Sequence, residues 1–196
     1  ASDVYKRQVL LLSVAIISCD KNENTEENNP SLSLLSAEDE ALEDILWNTI
    51  DADVDYVGGW MDVNSYKSVL DSCPMIIVEH PDSAYFPRTV IIDYGEDYCE
   101  TFHGRAKRGK IIIHITRPLF EEGSMRTVTF ENYFIAEHQI EGVKTLINKG
   151  LNDSGNMNFD VTLTNGQVTF PDQTVATREM DHNREWITGM DTPRYW

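Results

Sequence analysis

Between Met75 and Phe170 the chain alternates β-branched and aromatic stretches with clusters of Pro, Gly, Asp and Asn, and this alternation leaves few folds open. MIIVE from Met75, RTVIID from Arg88, KIIIHIT from Lys110, RTVTFENYF from Arg126, IEGVKTLIN from Ile140 and FDVTLT from Phe159 have the length and composition of strands. The intervals between them are too short for the crossover helix that parallel neighbours require. The expected fold is therefore mainly β, an antiparallel meander-type sheet, open or rolled, preceded by one N-terminal amphipathic helix.

Local patterns sharpen the sheet. In FDVTLTNGQVTF, Asn165-Gly166 predicts a type I′ hairpin turn that sets Leu163 opposite Val168 and Val161 opposite Phe170, with Thr162 and Thr169 paired on the other face. In Arg126 to Phe134, Val128, Phe130 and Phe134 share one face while Thr127, Thr129, Glu131 and Tyr133 share the other. Asn132 interrupts the apolar face and reads as a bulge, a strand end or a satisfied inner polar group. Ahead of the strands, Ser36 followed by Asp39 and Glu40 opens a helix, and Leu42, Ile45, Leu46, Thr49 and Ile50 give it an apolar stripe over about Ala37 to Asp53.

The N-terminal segment speaks to location. Val9 to Ser18 is apolar but about half the ~20 residues of a membrane-spanning helix, and Lys6 and Arg7 precede it, as in a secretion signal. Ile16-Ile17-Ser18-Cys19 resembles a bacterial lipobox, which makes Cys19 the expected lipid attachment site. DVYKRQ, Asp3 to Gln8, resembles the translation of a transposon mosaic-end sequencing adaptor, so residues 1–8 are expected to be an artefact. The domain reading is 1–19 signal and lipobox, 20–35 flexible acidic tether and 36–196 a single β-rich domain. Asp20-Lys21-Asn22-Glu23 resembles the signal that sends lipoproteins to the outer face of the outer membrane; a periplasm-facing protein is the alternative.

Charge narrows the partners. The net charge of −17 is concentrated near the N-terminus: Asp20 to Asp55 carries twelve acidic residues and one Lys. Such a surface repels nucleic-acid phosphates, so no nucleic-acid partner is expected and the basic run GRAKRGK reads as a solvated turn. With Cys19 acylated, Cys73 and Cys99 remain as a candidate disulfide in an oxidising compartment, brought together by the hairpin that MIIVE and RTVIID would form.

Candidate sites are sparse. Asp51, Asp53 and Asp55 have the spacing of the first ligands of an EF-hand loop, yet Tyr56 stands where Gly is required and Asp62 where Glu belongs, so a solvated helix end is the reading adopted. His80, His103, His114, His138 and His182 lack zinc spacing. Glu179, Asp181, His182 and Glu185 form the densest ligand-like group, read as exposed side chains between strands, and Cys99 with His103 is the only local nucleophile-and-base pairing. No metal, cofactor or catalytic residue is assigned. Trp47, Tyr56, Trp60, Tyr66, Trp186, Tyr195 and Trp196 are available for a sugar-stacking platform, set against core packing.

PRTVIIDYGEDYC, GRAKRGKIIIHIT, GSMRTVTFENYFIAEHQIEGVKTLINKGLN and TREMDHNREWITGMDTP resemble a family of β-rich lipoproteins of Bacteroides-type bacteria, over Cys73 to about Pro193. The resemblance implies a β-rich fold and an envelope location. It also implies C-terminal truncation, because the family's chain continues into further strands where this one stops, and it transfers no catalytic residue. The function expected is a lipid-anchored, cell-envelope, non-catalytic binding or structural module that meets the membrane through its anchor and a glycan or envelope protein through its surface. An accessory glycan binder and an envelope hydrolase completed by missing C-terminal strands are the alternatives.

Overall fold

The computed structural model of the protein describes residues 30–60, 73–80, 85–100 and 105–188. The chain divides into two units, Ala1–Ala37 and Glu38–Trp196, and of the first only the helical residues from Pro30 are described. The elements are α1 (Pro30–Trp60), β1 (Met75–Glu79), β2 (Arg88–Asp93), β3 (Cys99–Glu100), β4 (Ala106–Ile115), β5 (Met125–Ile135), β6 (His138–Leu151), β7 (Met157–Thr169) and β8 (Val175–Trp186). They form one sheet in the order β1-β2-β4-β5-β6-β7-β8, with β3 beside β4, and every pairing is antiparallel. The protein is mainly β with one N-terminal helix, as the short intervals predict.

Two expectations about register are corrected. Asn165-Gly166 does not turn a hairpin; it is a bulge inside β7, which runs unbroken from Met157 to Thr169. Asn165 alone takes the left-handed conformation, at φ 51°. Gly166 is needed for space: a Cβ there would lie 2.5 Å from the Arg178 carbonyl oxygen and 2.7 Å from the Leu163 side chain. The extra residue moves the inward set from Val161 and Leu163 to Gly166 and Val168, so the bulge satisfies the same apolar pattern that suggested a turn.

Asn132 does the same in β5. It has φ 47°, and the β4–β5 register shifts opposite Gly109, where a Cβ would meet the Asn132 carbonyl oxygen at 2.0 Å. Beyond the bulge Tyr133 and Ile135 face the core, fully buried, and Phe134 turns outward onto Arg108. The expected facing of Tyr133 and Phe134 is thus reversed.

The helix also differs from expectation. It starts at Pro30, inside the stretch assigned to the tether, and continues past Asp53 to Trp60. Proline suits a first helical turn, where its missing N–H has no partner to lose. The buried stripe is Glu43, Leu46, Trp47, Ile50, Asp53, Val54 and Val57, at helical spacing, whereas Ile45 is 46% exposed. These side chains pack with Val90, Ile92, Ile111, Ile113, Ile135 and Leu163 on one face of the sheet. Each large apolar side chain buried there contributes about 1.5–3 kcal/mol of transfer free energy.

Cys73, before β1, and Cys99, in β3, are joined as a disulfide with Cα atoms 6.1 Å apart. The pairing of Met75 with Asp93 carries Cys73 back to the level of Tyr94, whose carbonyl oxygen lies 3.4 Å from its sulfur.

Candidate functional site

Aspartates on α1 meet cations on the strands beneath. Asp44 pairs with Arg178 of β8, Asp51 with Lys144 of β6 at 2.5 Å and Arg184 of β8 at 3.7 Å, Asp53 with Lys107 of β4 at 2.5 Å, and Asp55 with Arg126 of β5 at 3.0 Å. The Asp51, Asp53 and Asp55 triplet is therefore neither a cation loop nor a solvated helix end. Its members sit inside the helix and fasten α1 to four different strands. The basic run likewise enters the sheet instead of forming a turn: Lys107 is fully buried, Arg108 stacks 3.4 Å from the centre of the Phe134 ring, and Lys110 lies between Asp93 and Glu131.

Burial grades these pairs. Around Lys107 and Asp53 the side-chain exposures are 0% and 7%, and the Tyr94 hydroxyl donates to the same Asp53 Oδ2 at 2.8 Å. The Tyr94 and Tyr133 rings pack 5.7 Å apart. Burial, first, and the nearby Asp53 carboxylate, second, hold both phenols well above the usual tyrosine range. Nearer the rim Glu43 is 9% exposed, its Oε1 has no hydrogen-bond partner among the described residues, and burial raises its carboxyl above the ordinary glutamate range.

Toward β8 the helix and sheet part around a groove of about 240 Å³ whose charged lining is Asp44, Asp51, Lys144, Arg178 and Arg184. Acids come from the helix and bases from the sheet, so the groove is close to neutral and suits electrostatic closure onto the helix better than capture of a strongly charged ligand.

Among the described residues no element covers the opposite face of the sheet. Cross-strand register draws two rows over it. Thr89, His114, Thr127, Thr145 and Thr162 are successive neighbours from β2 to β7, with Thr89 Oγ1 3.4 Å from His114 Nδ1. Beside them Ile77, Ile91, Ile112 and Thr129 align across β1, β2, β4 and β5, all partly exposed.

The remaining sequence candidates fall as follows. Cys19, His103, Tyr66, Tyr195 and Trp196 lie outside the described residues. Glu179, Asp181, His182 and Glu185 are exposed, but they belong to the strand β8 and not to a segment between strands, and alternation turns His182 away from the three acids. Among the described residues no three His, Cys, Asp or Glu side chains gather as a metal site. The aromatic set does not converge either: Trp47 is in the core, Tyr56 is exposed on α1, and Trp186 packs on Phe120 at 5.8 Å at one end of the sheet. Lys107 is the residue that sequence reasoning missed, although period-two alternation run backward from Ile113 and Ile111 through Gly109 lands on it. The chain matches no protein-family model, no curated protein and no solved structure.

Proposed function

We propose that the protein is a lipid-anchored outer-membrane protein of the cell envelope, of the β-rich lipoprotein family of Bacteroides-type bacteria that its motifs resemble, and that it serves as a non-catalytic binding or structural module. Cys19 is the acylated residue and the domain faces the cell exterior. The observation that carries the binding reading is the sheet face opposite α1, where threonine hydroxyls and partly exposed isoleucines lie in register across the strands. A broad surface of hydroxyl and apolar side chains, bounded in register by Glu79 and Asp181, fits another protein or a polymer better than a small molecule.

The anchor and the surface have separate tests. Cys19→Ser moves the protein from the membrane fraction to the soluble fraction; partitioning that does not change refutes the anchor. Proteinase applied to intact cells degrades the domain if it faces outward, and protection until the outer membrane is broken assigns it to the periplasm. Ile112→Asp on the open face keeps the fold by circular dichroism and abolishes retention on envelope glycans or envelope proteins. Retention equal to that of the unsubstituted protein rules this face out.

A further inference from the structure

We propose that Lys107 and Asp53 are joined covalently, as an intramolecular amide between Lys107 Nζ and Asp53 Cγ. The geometry already holds the reacting groups together: Nζ lies 2.5 Å from Asp53 Oδ2, the lysine side chain has no solvent exposure and the aspartate 7%. Ile50, Val54, Ile111 and Ile135 belong to the same buried cluster, and Nζ sits 5.5 Å from the centre of the Tyr94 ring. The first step of the reaction moves one proton from nitrogen to oxygen across this dry contact and turns the ion pair into an amine facing a carboxylic acid. Those are the forms that condense.

The step balances without any further reactant. The Nζ lone pair attacks Cγ, the Nζ–Cγ bond forms, one Cγ–O bond breaks, and that oxygen departs as water. Both protons of the water originate on the lysine ammonium, the third stays on the amide nitrogen, and net charge is unchanged. Tyr94 supplies the relay. Its hydroxyl donates to Oδ2 at 2.8 Å, which draws electron density from Cγ, and it can pass a proton to the departing oxygen while regaining one from the attacking nitrogen. Tyr94 is 4% exposed and Tyr133 and Lys107 not at all, so the site is dry, a condition that favours loss of water.

Position gives the bond a mechanical meaning. It welds α1 to β4, inside the sheet, so that a pull on the N-terminal side of the helix is borne by covalent bonds as well as by packing. The molecule also carries its own control. Lys144 and Asp51 are in contact at the same 2.5 Å, but Asp51 is 27% exposed and shares Arg184, so water stabilises both charges and no condensation is expected there.

The test is peptide mapping of the full chain after reduction of the disulfide. The expected result is a branched peptide containing Asp53 and Lys107, lighter than its two parts by one water, with loss of tryptic cleavage after Lys107. The branched species disappears in Lys107→Arg and in Asp53→Ala, and Tyr94→Phe slows its appearance. Recovery of only the two linear peptides from folded, aged wild-type protein overturns the proposal. So does a link at Lys144 and Asp51 instead. The decisive reading is made on the unsubstituted protein, so it survives any folding defect in the variants.

Discussion

Lys107–Asp53 and Arg178–Asp44 fasten the same helix to the same sheet, and they differ in almost everything except charge. The first is dry, with 0% and 7% side-chain exposure; the second stands at the rim with 31% and 53%. At the rim water can replace either partner, so the pair contributes little. In the centre nothing replaces either one, and the pair becomes a requirement even if its net contribution to stability is small.

The largest test of that contrast is Lys107→Met. It leaves the buried Asp53 carboxylate with the Tyr94 hydroxyl but without its cation, and an expected loss of about 3–5 kcal/mol is read from denaturant unfolding. Adding Asp53→Leu should return the part of the loss that comes from the stranded carboxylate, since no charge then remains to be solvated. A single-variant cost below about 1 kcal/mol would show the centre to be wetter than described.

Next comes Gly109→Ala, which strikes the bulge that holds Lys107 in line. The added Cβ would meet the Asn132 carbonyl at 2.0 Å on a backbone at φ +82°, for an expected loss of about 1–3 kcal/mol or more. An unchanged melting temperature would show that the bulge can relax.

Glu43 lies between the extremes. Its folded-state carboxyl titrates above the ordinary value, so the stability it contributes is complete below about pH 4 and is lost as pH rises through the raised folded-state value. Glu43→Gln should therefore raise the melting temperature at pH 7 and make no difference at pH 3. Thermal melts at both values check the sign. The smallest effect belongs to Arg178→Ala, at most about 1 kcal/mol and fading with added salt; a salt-independent loss above that would move the rim pair into the same class as the central one.

Much of this architecture was legible from residue order, and the failures share a cause. Strand existence and antiparallel pairing followed from β-branched runs and short intervals. What periodicity could not supply was whether a break in it means a turn or a bulge. Asn165-Gly166 and Asn132 each add one residue and reset which side chains face inward, and only the neighbouring strand, through Gly142 in one case and Gly109 in the other, decides between the two outcomes. β8 was missed because its inward positions include Arg178 and Arg184, which pair with helix aspartates in place of apolar neighbours. Helix acids and strand bases disguise each other in a linear reading. Each looks solvated until the other is brought opposite, and the central pair was hidden for that reason.

β8 ends the described sheet with a twelve-residue strand that has a neighbour on one side only. Two copies meeting there edge to edge must be related by a twofold axis perpendicular to the sheet, which pairs residues an even number of positions apart. Centred on Asp181, that axis sets Asp181 against itself and Arg178 against Arg184. Centred on Met180 it opposes Glu179 and Asp181, and centred on His182 it opposes Glu179 to Glu179's neighbour in charge, Glu185. Every central register of self-association thus brings like charges together, so this long outer strand of the described sheet is set against pairing with its own copy.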